Sequence, residues 1–144
     1  MILYLDTSSL LKLYVEEPGS AEVEASAREA AGVASSLVAY AEARAALARA
    51  HRDRRLTTRA YRAVVRAFED QWPSYTAVAV AESIVRLAGT LAERHALRGF
   101  DAIHLASALA LRDNLQEPVA FSASDGALMA AAGLEGLATA PATP

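Results

Sequence analysis

Four acidic residues, Asp6, Glu42, Asp101 and Asp125, are candidate metal-binding carboxylates, and local pattern places two of them. Asp6 and Asp125 each follow a short apolar segment predicted to be a buried strand, and each precedes a predicted helix. Because sites in parallel sheets form at the carboxyl ends of strands, we expect these two acids at one edge of the sheet. Two carboxylates about 5 Å apart repel by roughly 3 kcal/mol at an effective dielectric near 20. A divalent cation would remove that repulsion, so the pattern favours a metal site.

The composition indicates which metal and which chemistry would suit such a site. The chain has no cysteine and only three histidines, which disfavours zinc, whereas Mg²⁺ and Mn²⁺ prefer carboxylate and water oxygens. The formal net charge is −3, yet eight arginines lie between residues 44 and 66 with Asp53 as the only acid among them, a local balance of 8 − 1 = +7. A carboxylate-bound cation near such a segment suits phosphodiester hydrolysis. The arginines could equally form a solvated helix face or bind an acidic partner.

Each of the four acids also has an ordinary structural interpretation. Asp6 could cap the helix that follows it, and Asp101 and Asp125 lie where helices begin, a position that suits a negative charge. Glu42 lies within a predicted helix among alanines, and a single glutamate on a helix is usually exposed to solvent. The residue pattern alone does not bring Glu42 and Asp101 next to the other two acids.

The elements that would position these acids alternate between strand and helix, which predicts a parallel sheet covered by helices. Strands are predicted at about 1–5, 33–34, 74–80, 119–121 and 134–139. Helices are predicted at about 8–14, 20–31, 37–51, 59–71, 81–96, from 101 onward, and at 124–132. The length of 144 residues predicts a single domain over residues 1–140 and a frayed tail over 141–144.

The sequence also disfavours export and membrane insertion. The N-terminal segment lacks the basic and long apolar regions of a signal peptide. No segment approaches the roughly 18 to 20 apolar residues that a membrane-spanning helix needs. We therefore expect a cytoplasmic protein that does not associate with a membrane.

Four segments resemble, in order, the motifs of PIN-domain proteins, especially the VapC-type toxins of prokaryotic toxin–antitoxin pairs. The resemblance covers nearly the whole chain, and its first and third motifs are the more specific. The matching segments are Ile2–Tyr14 with Asp6, Ser35–Arg44 with Glu42, Gly99–Ala106 with Asp101, and Phe121–Asp125 followed by Leu128.

The resemblance implies a fold, an activity and a set of partners. The implied fold is a PIN-like, three-layer α/β/α sandwich with a central, mainly parallel sheet. The implied activity is Mg²⁺- or Mn²⁺-dependent endoribonuclease cleavage of RNA, and the implied partners are a cognate VapB-type antitoxin and a second copy of the chain in a homodimer. By position, the resemblance assigns the catalytic and metal-binding roles to Asp6, Asp101, Glu42 and Asp125, with Ser8 as a polar neighbour of the metal.

Two positions depart from the family pattern near the last acid. Ala123 stands two residues before the last acid, where the family often has serine or threonine. The resemblance implies that Asp125 completes the cluster either directly or through a water molecule. Gly126 stands where a charged residue is common. These departures leave open a catalytically weak or inactive module that binds RNA or an antitoxin on the same fold.

Two further interpretations concern single residues. A phosphatase or phosphoacceptor domain would use Asp6 to take a phosphoryl group, but such proteins often carry a second acid two residues later, where this chain has Ser8. His104, one helical turn after Asp101, could act as a base or a ligand. We expect His104 instead to pack near the core with a ring nitrogen hydrogen-bonded.

Overall fold

The computed structural model describes residues 1–140, whose five strands form one sheet. The strand order is β3-β2-β1-β4-β5, and all four neighbouring pairs are parallel. The strands are β1 (Ile2–Leu5), β2 (Gly32–Ser36), β3 (Thr76–Val78), β4 (Val119–Ser122) and β5 (Ala138–Thr139). The predicted sandwich with a central, mainly parallel sheet is confirmed.

Seven helices connect and cover the strands of this sheet within residues 1–140. They are α1 (Thr7–Leu11), α2 (Ser20–Glu29), α3 (Val38–Arg52), α4 (Thr58–Gln71), α5 (Glu82–His95), α6 (Gly99–Leu115) and α7 (Gly126–Leu134). Every predicted helix and strand is present, with ends shifted by a few residues. The last strand differs most, because α7 continues to Leu134 and β5 begins only at Ala138. The third strand also begins later than predicted, because Trp72–Ser74 forms a 3₁₀ turn that holds Pro73.

The central strand β1 is buried on both faces, which explains its uninterrupted apolar sequence. Alternate side chains of a strand point to opposite faces, so Leu3 and Leu5 enter one core and Tyr4 enters the other. The first core is completed mainly by α1, α3 and α4, where Phe68 is fully buried. The second is completed mainly by α5, α6 and α7, where Leu105 is fully buried.

This topology creates a crevice at the carboxyl end of β1. The chain leaves β1 toward β2 on one side, while β4 pairs with β1 on the other, so the strand order reverses there. Such a reversal is the usual position of a site in an open parallel sheet.

Two sequence predictions concern the remainder of the chain. The tail predicted to be frayed, 141–144, lies outside the described residues, and the single-domain assignment to 1–140 stays a prediction. None of the helices within 1–140 has the length and apolar character needed to cross a membrane.

Candidate active site

One open pocket at this edge of the sheet gathers all of the site residues suggested by the sequence. Asp6 and Asp125 reach it from the ends of β1 and β4, as the strand pattern predicts. Glu42 reaches it from α3, and Asp101 reaches it from the first turn of α6. The cavity has a volume of about 420 Å³ and is lined by Asp6, Thr7, Ser8, Glu42, Arg98, Asp101, His104, Ser124 and Asp125.

Asp6 is the most deeply placed of the four acids, with 5% of its surface exposed. It caps α1, and its Oδ1 accepts hydrogen bonds from the Ser9 amide at 2.9 Å and the Ser8 hydroxyl at 2.7 Å. Burial raises the pKa of the Asp6 carboxyl against the effect of those two hydrogen bonds, and the nearby charge of Asp101 raises it further. Asp6 is therefore a buried carboxylate whose ionised form a cation would stabilise.

Glu42 is held by two donors that reach the same oxygen. The Thr7 hydroxyl donates to Oε1 at 2.6 Å, and His104 Nε2 lies 2.9 Å from Oε1. The hydrogen bond with His104 is the main reason that the pKa of Glu42 is lowered, and it outweighs partial burial. Glu42 is thus an ionised and fixed carboxylate, unlike a solvated helix residue.

Asp101 and Asp125 lie at the N-terminal ends of the two helices that border the pocket. Asp101 Oδ2 lies 3.1 Å from Nε of Arg98, whose side chain is 83% exposed. Asp125 caps α7, and its Oδ1 accepts hydrogen bonds from the backbone amides of Ala127 at 2.8 Å and Leu128 at 3.1 Å. Both acids are anchored by their own helix or its flanking residues.

Ser8 joins the two loops that carry Asp6 and Asp125. Its hydroxyl donates to Asp6 Oδ1 and accepts a hydrogen bond from the Ser124 amide at 3.1 Å. Ala123, which departs from the family pattern, packs against the core beneath this loop. The cap formed by Asp125 is therefore made without a hydroxyl group at position 123.

The donor chemistry of the pocket fits a hydrated divalent cation. Within residues 1–140, protein donors reach only one oxygen of each acid: Oδ1 of Asp6, Oε1 of Glu42, Oδ2 of Asp101 and Oδ1 of Asp125. The second oxygen of each remains available as a ligand. In the same part of the chain, no three His, Asp or Glu side chains converge closely enough to hold one ion by themselves. Mg²⁺ suits this arrangement because it usually keeps several waters and takes only one or two carboxylates.

The sequence did not identify the residues that hold Glu42 in place. His104 packs in the core with 2% of its surface exposed and both ring nitrogens near polar partners, as expected, but one of those partners is Glu42. No pattern in the sequence indicates Thr7 as a partner of Glu42 or Tyr4 as a partner of His104. A usable signal for the nearness of Thr7 to the site was its position directly after Asp6, at the start of the helix that enters the pocket.

The arginine-rich segment, residues 44–66, covers the second half of α3, the turn that follows and the first part of α4. Three of its arginines make ion pairs, Arg44 with Glu69 and both Arg49 and Arg55 with Asp53. Another three lie exposed around one surface depression on α4, namely Arg59, Arg62 and Arg66. The segment therefore contains both a solvated, paired part and a cluster of exposed cations.

Comparison with known proteins identifies relatives of this chain. Residues 3–116 match the family described as PIN domain. Two proteins of Mycobacterium tuberculosis, Ribonuclease VapC45 of strain CDC 1551 / Oshkosh and Ribonuclease VapC49 of strain ATCC 25618 / H37Rv, are each 42% identical over 112 residues, which is 78% of this chain and 78% of each relative. The crystal structure of FitAcB from Neisseria gonorrhoeae superposes with a TM-score of 0.71 over 96% of both chains at 19% identity, a likeness of fold alone.

Proposed function

The chain belongs to the PIN-domain family, and from this premise we propose that it is a VapC-type endoribonuclease, the toxin of a toxin–antitoxin pair. The observation that carries the proposal is the single open pocket that Asp6, Glu42, Asp101 and Asp125 line together. The relatives named as ribonucleases support RNA as the substrate. The pocket is open to solvent, as entry of a polymer requires.

Mg²⁺ or Mn²⁺ dependence forms the second part of the proposal. The available oxygens of the four acids would hold the cation, some directly and others through water. When bound, such an ion lowers the pKa of water and neutralises charge that develops on a phosphodiester.

The remaining pocket residues would hold the acids and the RNA in place. Ser8 and the Ser9 amide fix Asp6, and Thr7 fixes Glu42. Arg98, exposed beside Asp101, can donate to a phosphate oxygen at the mouth of the pocket. The exposed arginines of α4 supply further cations for an RNA backbone.

The proposed partners follow from membership of the VapC group. They are an RNA substrate, a VapB-type antitoxin and a second copy of this chain. We place the protein in the cytoplasm, where its substrate is made.

Cleavage assays with two neutralised acids test the proposal. Asp6→Asn and Asp101→Asn are compared with wild type on a panel of transfer and ribosomal RNAs, with Mg²⁺, with Mn²⁺ and with chelator. Each substitution should lower the cleavage rate by about 100-fold or more, since it removes a charge that stabilises the transition state. Asp113→Asn is the matched control, because Asp113 is exposed on α6 three turns beyond Asp101.

The outcomes separate the proposal from its alternatives. Cleavage by either site variant at the wild-type rate would exclude that acid from the site. RNA binding by wild type without metal-dependent cleavage would instead favour the inactive binding module.

A further inference from the structure

His104 lies between a buried tyrosine and a site carboxylate. It is a residue of α6 with 2% of its surface exposed. Nδ1 is 2.8 Å from the Tyr4 hydroxyl, and Nε2 is 2.9 Å from Glu42 Oε1. These contacts join β1, α6 and α3, and Thr7 adds α1 through its hydrogen bond to the same glutamate oxygen. Three elements thus meet at the Glu42 carboxylate, and β1 is connected to it through His104.

The neighbours of Nε2 determine whether this nitrogen donates or accepts a hydrogen bond. The Thr7 hydroxyl lies 3.1 Å from Nε2, but its single proton is donated to Glu42 Oε1. Glu42 Oε1 receives the Thr7 proton across 2.6 Å and so acts as an acceptor at this point. Nε2 therefore faces two acceptors and must carry a hydrogen.

The other ring nitrogen has the opposite role. In a neutral ring with hydrogen on Nε2, Nδ1 has no hydrogen and can only accept, so the Tyr4 hydroxyl is the donor of their hydrogen bond. The hydroxyl proton is donated to Nδ1 across 2.8 Å. With a neutral ring that carries its hydrogen on Nε2, Tyr4, His104 and Glu42 each have a hydrogen-bond partner. No buried polar side-chain atom within residues 1–140 is left without a partner.

We propose that His104 is a positioning residue, whose Nε2–H and the Thr7 hydroxyl together hold Glu42 Oε1 and leave Oε2 for the reaction centre. Without these donors, a glutamate in the middle of α3 would rotate freely between the pocket and solvent. A role as general base is disfavoured, because both ring nitrogens are occupied and the ring is buried. The inference rests on the proposed nuclease function and specifies how one of its acids is oriented.

Two amide substitutions at position 104 separate positioning from simple packing. In His104→Gln the side-chain amide nitrogen takes the place of Nε2 and can donate to Glu42. In His104→Asn the amide takes the place of Nδ1, next to Tyr4, and does not reach Glu42. Both variants put a neutral amide at this buried position, and thermal melts of the two measure any difference in packing separately from the readouts below.

Affinity for Mn²⁺ alone, measured by calorimetry, is the first readout, and RNA cleavage is the second. His104→Asn should weaken Mn²⁺ binding and cleavage by about 10- to 100-fold, the usual effect of losing a residue that orients a ligand. His104→Gln should recover most of both. Equal Mn²⁺ affinity and equal cleavage in the two variants would overturn the proposal.

Nitrogen-15 NMR of the His104 ring tests the hydrogen-bond pattern in the unmodified protein, independently of any variant. The expected spectrum shows hydrogen on Nε2 and an unprotonated Nδ1, and a neutral ring with hydrogen on Nδ1 would overturn the proposal. If the proposed nuclease function is wrong, the wild-type protein itself will neither bind Mn²⁺ nor cleave RNA, an outcome distinct from a failure of the positioning role.

Discussion

Replacing Asp6 by asparagine should stabilise the metal-free protein while weakening its response to metal. Asp6 is buried, and within residues 1–140 only its Oδ1 receives hydrogen bonds, from Ser8 and Ser9. Burial raises the pKa of this carboxyl, so the ionised form is less stable in the folded protein than in the unfolded chain. Asparagine keeps the shape and the acceptor oxygen and removes the charge.

The size of the effect follows from two opposing contributions. A buried ion carries an effective desolvation penalty of several kcal/mol. Neutralising the acceptor weakens each of its two hydrogen bonds by about 1 kcal/mol, because bonds to charged groups are stronger than neutral ones. We expect a net gain of about 1 kcal/mol near neutral pH for Asp6→Asn, or roughly 4 °C in Tm for a chain of this length.

The pH dependence of this gain has a definite sign. A raised folded pKa means that the favourable contribution of Asp6 is complete below the unfolded pKa of about 3.9 and is lost as the pH rises through the folded value. The difference in Tm between Asp6→Asn and wild type should therefore be small at about pH 4 and complete at about pH 7.5.

Thermal melts with chelator and with Mn²⁺ measure both halves of the prediction. Mn²⁺ at about 100 times its Kd should stabilise wild type by about 2.7 kcal/mol, and the variant by clearly less. Asp113→Asn, an exposed acid on α6, is the control for charge removal as such. If Asp6→Asn melts below wild type in chelator at neutral pH, the hydrogen bonds outweigh burial and our reasoning is wrong. An equal Mn²⁺ response would remove Asp6 from the metal site.

Two further predictions concern the arginines. Arg98→Gln should raise KM for RNA more than it lowers kcat. It should change the free energy of unfolding by less than about 1 kcal/mol, because the ion pair of Arg98 with Asp101 is largely solvated. A large decrease in Tm would contradict the expected small change in stability. Arg59, Arg62 and Arg66 are replaced together by glutamine, and the affinity for single-stranded RNA is titrated at several salt concentrations. The slope of log affinity against log salt should become less steep by about 0.7 for each lost phosphate contact. Arg86→Gln, an exposed arginine on α5, is the control. An unchanged slope would show that the α4 arginines do not contact the RNA.

The two halves of the site differed in how far the sequence could predict them. Asp6 and Asp125 follow buried strands, and the geometry of a parallel sheet alone puts them at one edge. Glu42 and Asp101 depend on helix packing. The alanines of α3 pack on the face of the sheet that holds Leu3, whereas α6 packs on the face that holds Tyr4. The two acids thus approach the pocket from opposite layers, and no local pattern encodes that approach.

Local sequence pattern also did not predict which side chains bind each other. The hydrogen bond between His104 and Glu42 spans 62 residues, and the ion pair between Arg44 and Glu69 spans 25. The start of α2 also departs from local preference, because serine is a favoured N-cap residue but Ser20 does not cap this helix. The cap is Gly19 with φ of +93°, and the Ser20 hydroxyl instead binds the backbone of the preceding loop. A glycine in this left-handed conformation lets the chain enter the helix directly.

Helix capping and metal binding are compatible roles for Asp6 and Asp125, although the sequence presents them as alternatives. A carboxylate has two oxygens, and in each of these residues the cap occupies Oδ1 only. The cap fixes the side chain against the N-terminus of a helix, where the dipole favours a negative charge. Glu42, in the middle of a helix, has no such cap, and Thr7 and His104 supply the equivalent anchor at Oε1. The acids are therefore oriented by hydrogen bonds that leave one oxygen of each available to a cation.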